Sequence, residues 1–260
     1  MGGLFSLVIS GKKDINGFQI GQMSGQKGIF MIIGNGQLAK IFKEDGCFFD
    51  DVVIFASGVT NSDCRDDREF NREKELLEKT LVENNAKRFV YFSSCALSAK
   101  TYEKNEYYQH KQHMEDIIRA NSNNYLIFRI PQLFGNLIRH KTIINFFYKS
   151  IQQQQQFNIF DEAYRYVIEI NDVKKLVKAY LEFSNQCSIV DLANPYRYKV
   201  FDIVKILEQL LEKKAVYRIL EKEDKYKLDF SEMKDFIKTH SIHMPFGPDY
   251  LFNKLKEKIT

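Results

Sequence analysis

The 260-residue chain predicts an α/β fold, a doubly wound parallel sheet, and three observations carry that expectation. Apolar runs that read as buried strands alternate with charged segments whose apolar positions recur at helical spacing. Two glycines, Gly34 and Gly36, stand where the first of those strands turns into a helix. Tyr107 and Lys111 lie one helical turn apart, on one face, after a strand that ends on hydroxyls.

Met31-Ile-Ile-Gly-Asn-Gly-Gln-Leu-Ala39 is the first strand-to-helix turn, with a helix opening from Gln37 to Phe42. Asp51-Val-Val-Ile-Phe-Ala-Ser-Gly58 reads as a buried strand ending in small residues. Residues 65–85 carry Phe70, Leu76, Leu77 and Leu81 at amphipathic-helix spacing. Lys87-Arg-Phe-Val-Tyr-Phe-Ser-Ser-Cys95 is the next strand, followed by a helix over 106–120 and the strand Tyr125-Leu-Ile-Phe-Arg-Ile130. Further on, the pattern predicts a helix over 142–151, with Gln152 to Gln156 as a polar extension or loop. A short strand follows at 166–170, and then a helix through Phe183 capped by Asp172. A strand at 188–192 and a helix over 200–213 come next, and an irregular stretch with Pro245 and Pro248 precedes a last helix. Strands in such an alternation place functional groups at their carboxyl ends.

Residues 1–30 precede the first strand as an N-terminal extension, with a weak hairpin signal at Asn16-Gly17. Their start has no basic segment and makes a poor signal peptide, and the formal N-myristoylation pattern from Gly2 to Ser6 is short and common. The expected organisation is this extension, a dinucleotide-binding core over 31–135, and the remaining strands with a small substrate-binding part over 136–260.

Apolar residues make up 44% and charged residues 28%, which places the chain with ordinary soluble globular proteins. The net charge of +4 is interspersed, so nucleic acid is not an expected partner. No apolar run is long enough to span a bilayer. Cys47, Cys64, Cys95 and Cys187 are scattered without a Cys-x-x-Cys spacing and read as reduced thiols of a cytoplasmic protein. His240 and His243 lack cysteine or acidic ligands nearby in sequence, so no metal site is expected.

Two glycines at a strand-to-helix turn let backbone N–H groups approach a pyrophosphate, with the helix dipole in support. A tyrosine has an ordinary pKa near 10, and lowering it by about three units takes roughly 4 kcal/mol. One ammonium a few ångström away supplies about that much at an effective dielectric near 20. Lys111 is therefore expected to sustain a Tyr107 phenolate as the proton carrier and to hold a cofactor ribose hydroxyl. Plainer readings exist. A glycine turn can serve packing alone, and Tyr-x-x-x-Lys recurs at Tyr250 and Lys254, where it reads as a surface helix pair.

The order of these pieces resembles the extended short-chain dehydrogenase/reductase family, the NAD-dependent epimerases, dehydratases and reductases of nucleotide sugars, over about Phe30 to Val216. The resemblance implies a Rossmann-like sheet with Gly34, Asn35, Gly36, Gln37 and Leu38 at the cofactor phosphates. It puts Ala56, Ser57, Gly58, Lys111 and Pro131 near the nicotinamide end of NAD or NADP. Ser94 is then the hydroxyl that orients the substrate oxygen, ahead of Ser93 or Cys95. Gln132 and Arg165 are implied substrate contacts, Arg165 through a nucleotide-sugar phosphate; outside the family context a surface ion pair is as good a reading of Arg165.

Two departures narrow the expectation. Only Lys43 to Asp50 separate the first helix from the strand at Asp51, so one βαβ piece, with its residue that reads the adenosine ribose, is missing and NAD cannot be told from NADP. After Ser94 come Cys95, Ala96 and Leu97 in place of the Asp-Glu pair of the dehydratases, which disfavours water elimination. The expected function is an NAD(P)-dependent oxidoreductase or epimerase acting on a nucleotide-linked sugar. The alternative is a non-catalytic nucleotide-sensing or partner-binding relative of the same fold. A third reading makes the helix with Tyr107 mainly a homodimer face.

Overall fold

Five parallel strands form the frame that positions the candidate site. The computed structural model describes residues 19–21, 30–44, 51–100, 103–138 and 142–259. The main sheet contains β1 (Gln19–Gly21), β2 (Phe30–Ile33), β3 (Val52–Phe55), β4 (Arg88–Ser94), β5 (Tyr125–Ile130) and β9 (Ser188–Asp191). Its spatial order is β1-β2-β3-β4-β5-β9, with every neighbour parallel except β1.

The period-two alternation of each strand divides its side chains between two helical layers. Ile32, Ile54, Val90, Phe92 and Phe128 pack with Ala39 and Phe42 of α1 (Gln37–Glu44) and with Val173, Leu176 and Val177 of α5 (Ile170–Phe183). Ile33, Val53, Phe55, Phe89, Tyr91 and Ile127 pack with Leu77 and Leu81 of α2 (Asp67–Glu83) and with Met114 and Ile118 of α3 (Glu106–Asn121). Both faces being covered explains why these strands read as continuous apolar runs. Asp66 and Asn105 cap α2 and α3 by accepting from Arg68 N and Tyr108 N.

Only residues 45–51 separate α1 from β3, so the expected shortening is present. The edge left open is occupied by β1, which pairs antiparallel with β2, Gln19 opposite Ile32. Residues preceding β2 thus take the position beside it, but an antiparallel strand does not restore the missing βαβ topology. Asn16-Gly17, the acylation pattern and Cys47 lie outside the described residues.

The second half builds a smaller assembly. Here β6 (Gln132–Phe134) pairs in parallel with β8 (Val167–Glu169). A three-stranded sheet runs β10 (Tyr198–Lys199), β7 (Phe157–Arg165), β11 (Tyr217–Asp224). Helices α4 (Ile143–Gln152), α6 (Val200–Leu211) and α8 (Tyr250–Ile259) share one core with β7, through Phe147, Ile151, Phe157, Ile159, Ile203, Leu207, Leu251 and Leu255. Helix α7 (Ser231–Thr239) joins the main core through Met233.

Two local expectations are corrected. Glu169, not Asp172, caps α5, its carboxylate accepting from Asn171 N at 2.8 Å. Tyr250 and Lys254 are no surface pair. The Tyr250 hydroxyl, buried, donates to Asp172 Oδ2 at 2.7 Å and accepts from Glu169 N at 2.8 Å, while Lys254 Nζ lies 3.0 Å from Asp172. Lys258 adds an ion pair to Glu169 at 2.8 Å. These contacts fasten α8 to the start of α5.

Candidate active site

At the carboxyl edge of the sheet, β2 ends in Gly34 with φ +116°, a conformation glycine tolerates and other residues rarely adopt. A Cβ there would drive into the carbonyl of Ala56, so the turn lies tight against the residues after β3. Ala56 N donates to Ile33 O at 2.8 Å, closing the same contact. Gly36 is the opposite case: a Cβ would meet nothing within 4 Å, so the space over the start of α1 is open. Asn35, Gln37 and Leu38 complete the turn, and the buried Oε1 of Gln37 lacks a hydrogen-bond partner among the described residues. That oxygen lies 3.6 Å from where a Cβ on Gly135 would stand, which brings the loop after β6 to the glycine turn.

Lys43, absent from the sequence reading, reaches back along α1 to place Nζ 2.9 Å from Gly34 O and 3.3 Å from Asn35 Oδ1. Burial, and then Lys40, hold its pKa below the ordinary lysine value. The turn thus offers a tight backbone, open space and a positive charge. These features fit a phosphate-bearing ligand.

The end of β4 and the start of α3 supply the second part. Ser94 is the last residue of β4 and caps a short 3₁₀ turn, its hydroxyl accepting from Ala96 N at 3.4 Å. Ser93 is buried, with its hydroxyl unpartnered among the described residues. Cys95 is buried too, its thiol donating to Arg129 O at 3.0 Å. Tyr107 is buried on the first turn of α3, and its ring packs edge-on against Tyr108.

Lys111 is not left to Tyr107. Its ammonium, almost wholly buried, binds Glu73 Oε1 at 2.9 Å and donates to the Tyr91 hydroxyl at 3.0 Å. Tyr91 in turn donates to Glu73 Oε1 at 2.6 Å. The other oxygen of Glu73 accepts from Val59 N at 2.6 Å and lies 3.0 Å from His110 Nε2. An ionised carboxylate only accepts, so that imidazole nitrogen carries the proton. Burial pushes Glu73 up, but the Lys111 ammonium, with hydrogen bonds from His110, Tyr91 and Lys111, outweighs it and brings the carboxyl down to about 2. Gly58 completes this cluster, since a Cβ on it would stand 2.5 Å from Lys111 Nζ.

The surroundings of Tyr107 differ from those of a tyrosine beside a lone ammonium. Lys111 Nζ is 5.9 Å from the Tyr107 ring centre, and its charge is matched by Glu73 at half that distance. Burial, then the negative charge of Glu73, push the Tyr107 phenol well above its ordinary pKa. The first cause disfavours any ion in an apolar setting, and the second opposes a phenolate specifically.

The remaining predicted residues lie between β5 and β6, on β6 and at the end of β7. Pro131 links β5 to β6, and Gln132 N donates to Tyr166 O at 3.3 Å. Arg165, at the end of β7, is held by the Asp224 carboxylate and by Tyr164 O, so its fork is already engaged within the chain. Arg129 and Glu115, which the sequence reading passed over, form a further ion pair at 2.9 Å between β5 and α3. His240 stacks on Phe183, ring centres 4.6 Å apart. Among the described residues no helix is long and apolar enough to cross a membrane, and Cys64, Cys95 and Cys187 are free thiols.

No family model and no curated protein matches the sequence. Solved structures share the fold at low identity. UDP-glucuronic acid 4-epimerase from Bacillus cereus, crystallised with UDP-glucuronic acid and NAD, is 16% identical with a TM-score of 0.66, over 86% of this chain and 78% of that one. RMD from Pseudomonas aeruginosa, complexed with NADPH, is 13% identical with a TM-score of 0.65, over 81% of each chain. The dTDP-glucose 4,6-dehydratase from Bacillus anthracis, in complex with NAD, is 9% identical with a TM-score of 0.63, over 85% and 74%. The chain therefore shares the Rossmann-like fold of these structures, in a shortened form.

Proposed function

We propose that this chain is an NAD(P)-dependent oxidoreductase or epimerase acting on a nucleotide-linked sugar. The observation that carries the reading is the meeting, at one edge of the sheet, of the Gly34–Gly36 turn, the 56–58 loop and the Tyr107–Lys111 face of α3, with Gly58 against Lys111 itself. The similar structures in complex with NAD or NADPH, one of them also with UDP-glucuronic acid, support it.

In this reading the backbone N–H groups after Gly36 and the Lys43 ammonium hold the cofactor phosphates. Lys111 holds a ribose hydroxyl, exchanging one of its two present partners for it. When bound, the nicotinamide supplies or accepts a hydride at a sugar carbon. Tyr107 carries the proton of the same oxygen, Ser94 orients that oxygen, and Gln132 lines the sugar side. Arg165 reaches a substrate phosphate by exchanging Asp224 for it, a planar fork meeting two oxygens. No acid–base pair follows Ser94, so elimination of water has no proton carrier there and dehydration is disfavoured.

One observation favours the runner-up, a nucleotide-sensing or partner-binding protein without turnover. Two of the three cations assigned to ligand, Lys111 and Arg165, are already neutralised internally. Calorimetric titration with NADH and, separately, NADPH tests the cofactor site, and loss of turnover in folded Tyr107→Phe separates the enzyme from a nucleotide sensor. Micromolar binding of either supports the enzyme. Folded protein that binds neither removes the hydride mechanism and leaves the binding role.

A further inference from the structure

We propose that Glu73 holds Tyr107 in its protonated form, so that the site serves as a proton donor to a carbonyl and favours reduction over epimerisation. This rests on the hydride-transfer reading above and names its direction.

The basis is the arrangement around the Lys111 ammonium. A tyrosine next to a lone ammonium is stabilised as phenolate. Here the ammonium sits 2.9 Å from a carboxylate that is itself fully buried, so Tyr107 faces a neutral pair. Glu73 is fixed in that place from four sides, by Val59 N, Tyr91, His110 and Lys111, and cannot rotate away without stranding two buried polar partners. The charged and titratable groups that bear on Tyr107 are Glu73 from α2, Tyr91 from β4, and Tyr108 and Lys111 from α3 itself. Glu115 and Arg129, on α3 and β5, neutralise each other. No unmatched cation remains in this set to favour a phenolate.

In the reductive step the Tyr107 O–H bond breaks and its proton goes to the carbonyl oxygen, as the reduced nicotinamide gives a hydride to the carbonyl carbon and becomes oxidised. The product is an alcohol, and the tyrosinate regains a proton from water. An epimerase must run the opposite step first, removing a hydroxyl proton, which requires the phenolate that Glu73 opposes. A reductase begins from the form of Tyr107 that predominates.

The test is direct titration of Tyr107, by the ring-carbon chemical shift in protein labelled with 13Cζ-tyrosine, with Tyr107→Phe identifying the signal. In the wild-type protein the Tyr107 signal should stay at the phenol position up to about pH 10. In Glu73→Gln the Lys111 charge is unopposed, and the midpoint should fall by about two units or more. A wild-type midpoint near neutrality overturns the proposal, as does a Glu73→Gln midpoint equal to that of the wild type. If Glu73→Gln does not fold, the wild-type titration alone decides. The experiment needs no nucleotide, so its failure is separable from a failure of NADPH binding. With turnover in hand, carbonyl reduction should be level from about pH 6 to 9, while alcohol oxidation rises about tenfold per unit.

Discussion

Glu73 accepts from four donors with two oxygens, and that count explains how a carboxylate can be fully buried on an otherwise ordinary surface helix. Its folded pKa of about 2 lies below the ordinary 4.5, so its contribution is present above about pH 4.5 and is lost as pH falls towards 2. A depression of that size corresponds to about 3 kcal/mol. Glu73→Gln should therefore be less stable than wild type by roughly 3 kcal/mol at pH 7 in urea unfolding, the gap closing below pH 4.5. A gap that is constant from pH 7 to pH 3 would rule out the carboxylate charge as its cause. The residue was legible in one respect only. Phe70, Glu73, Leu77, Leu81 and Asn84 form a stripe at three- and four-residue steps, so Glu73 occupies a core position of α2. In a segment this rich in Glu and Lys, one more carboxylate reads as solvated, and the pair it makes with Lys111 spans 38 residues of sequence.

At the level of elements, the two glycines of the first turn have different duties, and substitution should separate them. Gly34→Ala forces a side chain into the Ala56 carbonyl at φ +116° and should cost on the order of 3 kcal/mol of stability, read by chemical unfolding. Gly36→Ala meets no atom and should leave stability within about 0.5 kcal/mol, while weakening NADH or NADPH binding tenfold or more. Equal loss of stability in both variants would show that the turn serves packing alone. The turn, the parallel strands of the main sheet and the helices between them were readable, because each carries a local period of two or 3.6 residues, whereas β1 was not. The pairing of β7 with β11 was not, since Tyr217 meets Phe157 from 60 positions away and leaves no local mark. Depth was equally hidden. Tyr107–Lys111 and Tyr250–Lys254 share one spacing, and only tertiary packing shows that both are buried and that each lysine serves a different carboxylate. Likewise, Arg165 could be read as an ion pair or a phosphate ligand from sequence, and its partner Asp224 arrives on β11.

Across the whole molecule, stability should be graded from the main sheet to the three-stranded sheet. Strand β4 is covered on both faces and paired on both edges, its residues nearly all buried. Strand β11 pairs only with β7 and exposes six consecutive side chains, Ile219 and Leu220 among them. Its register also shifts between Leu220 and Glu223, which weakens the ladder in its middle. Amides of an edge strand with so little burial open without unfolding the rest. Native-state hydrogen exchange should therefore show protection in Tyr217–Asp224 lower than in Arg88–Ser94 by roughly a hundredfold or more. Equal protection would mean that the two sheets unfold as one unit. The grading matters for the proposed chemistry because Asp224, the residue that occupies Arg165, sits at the end of β11. In the proposed function, opening of that strand would release the guanidinium for a substrate phosphate, whereas Tyr107, Lys111 and Glu73 are held on the buried elements of the main sheet's helical layer.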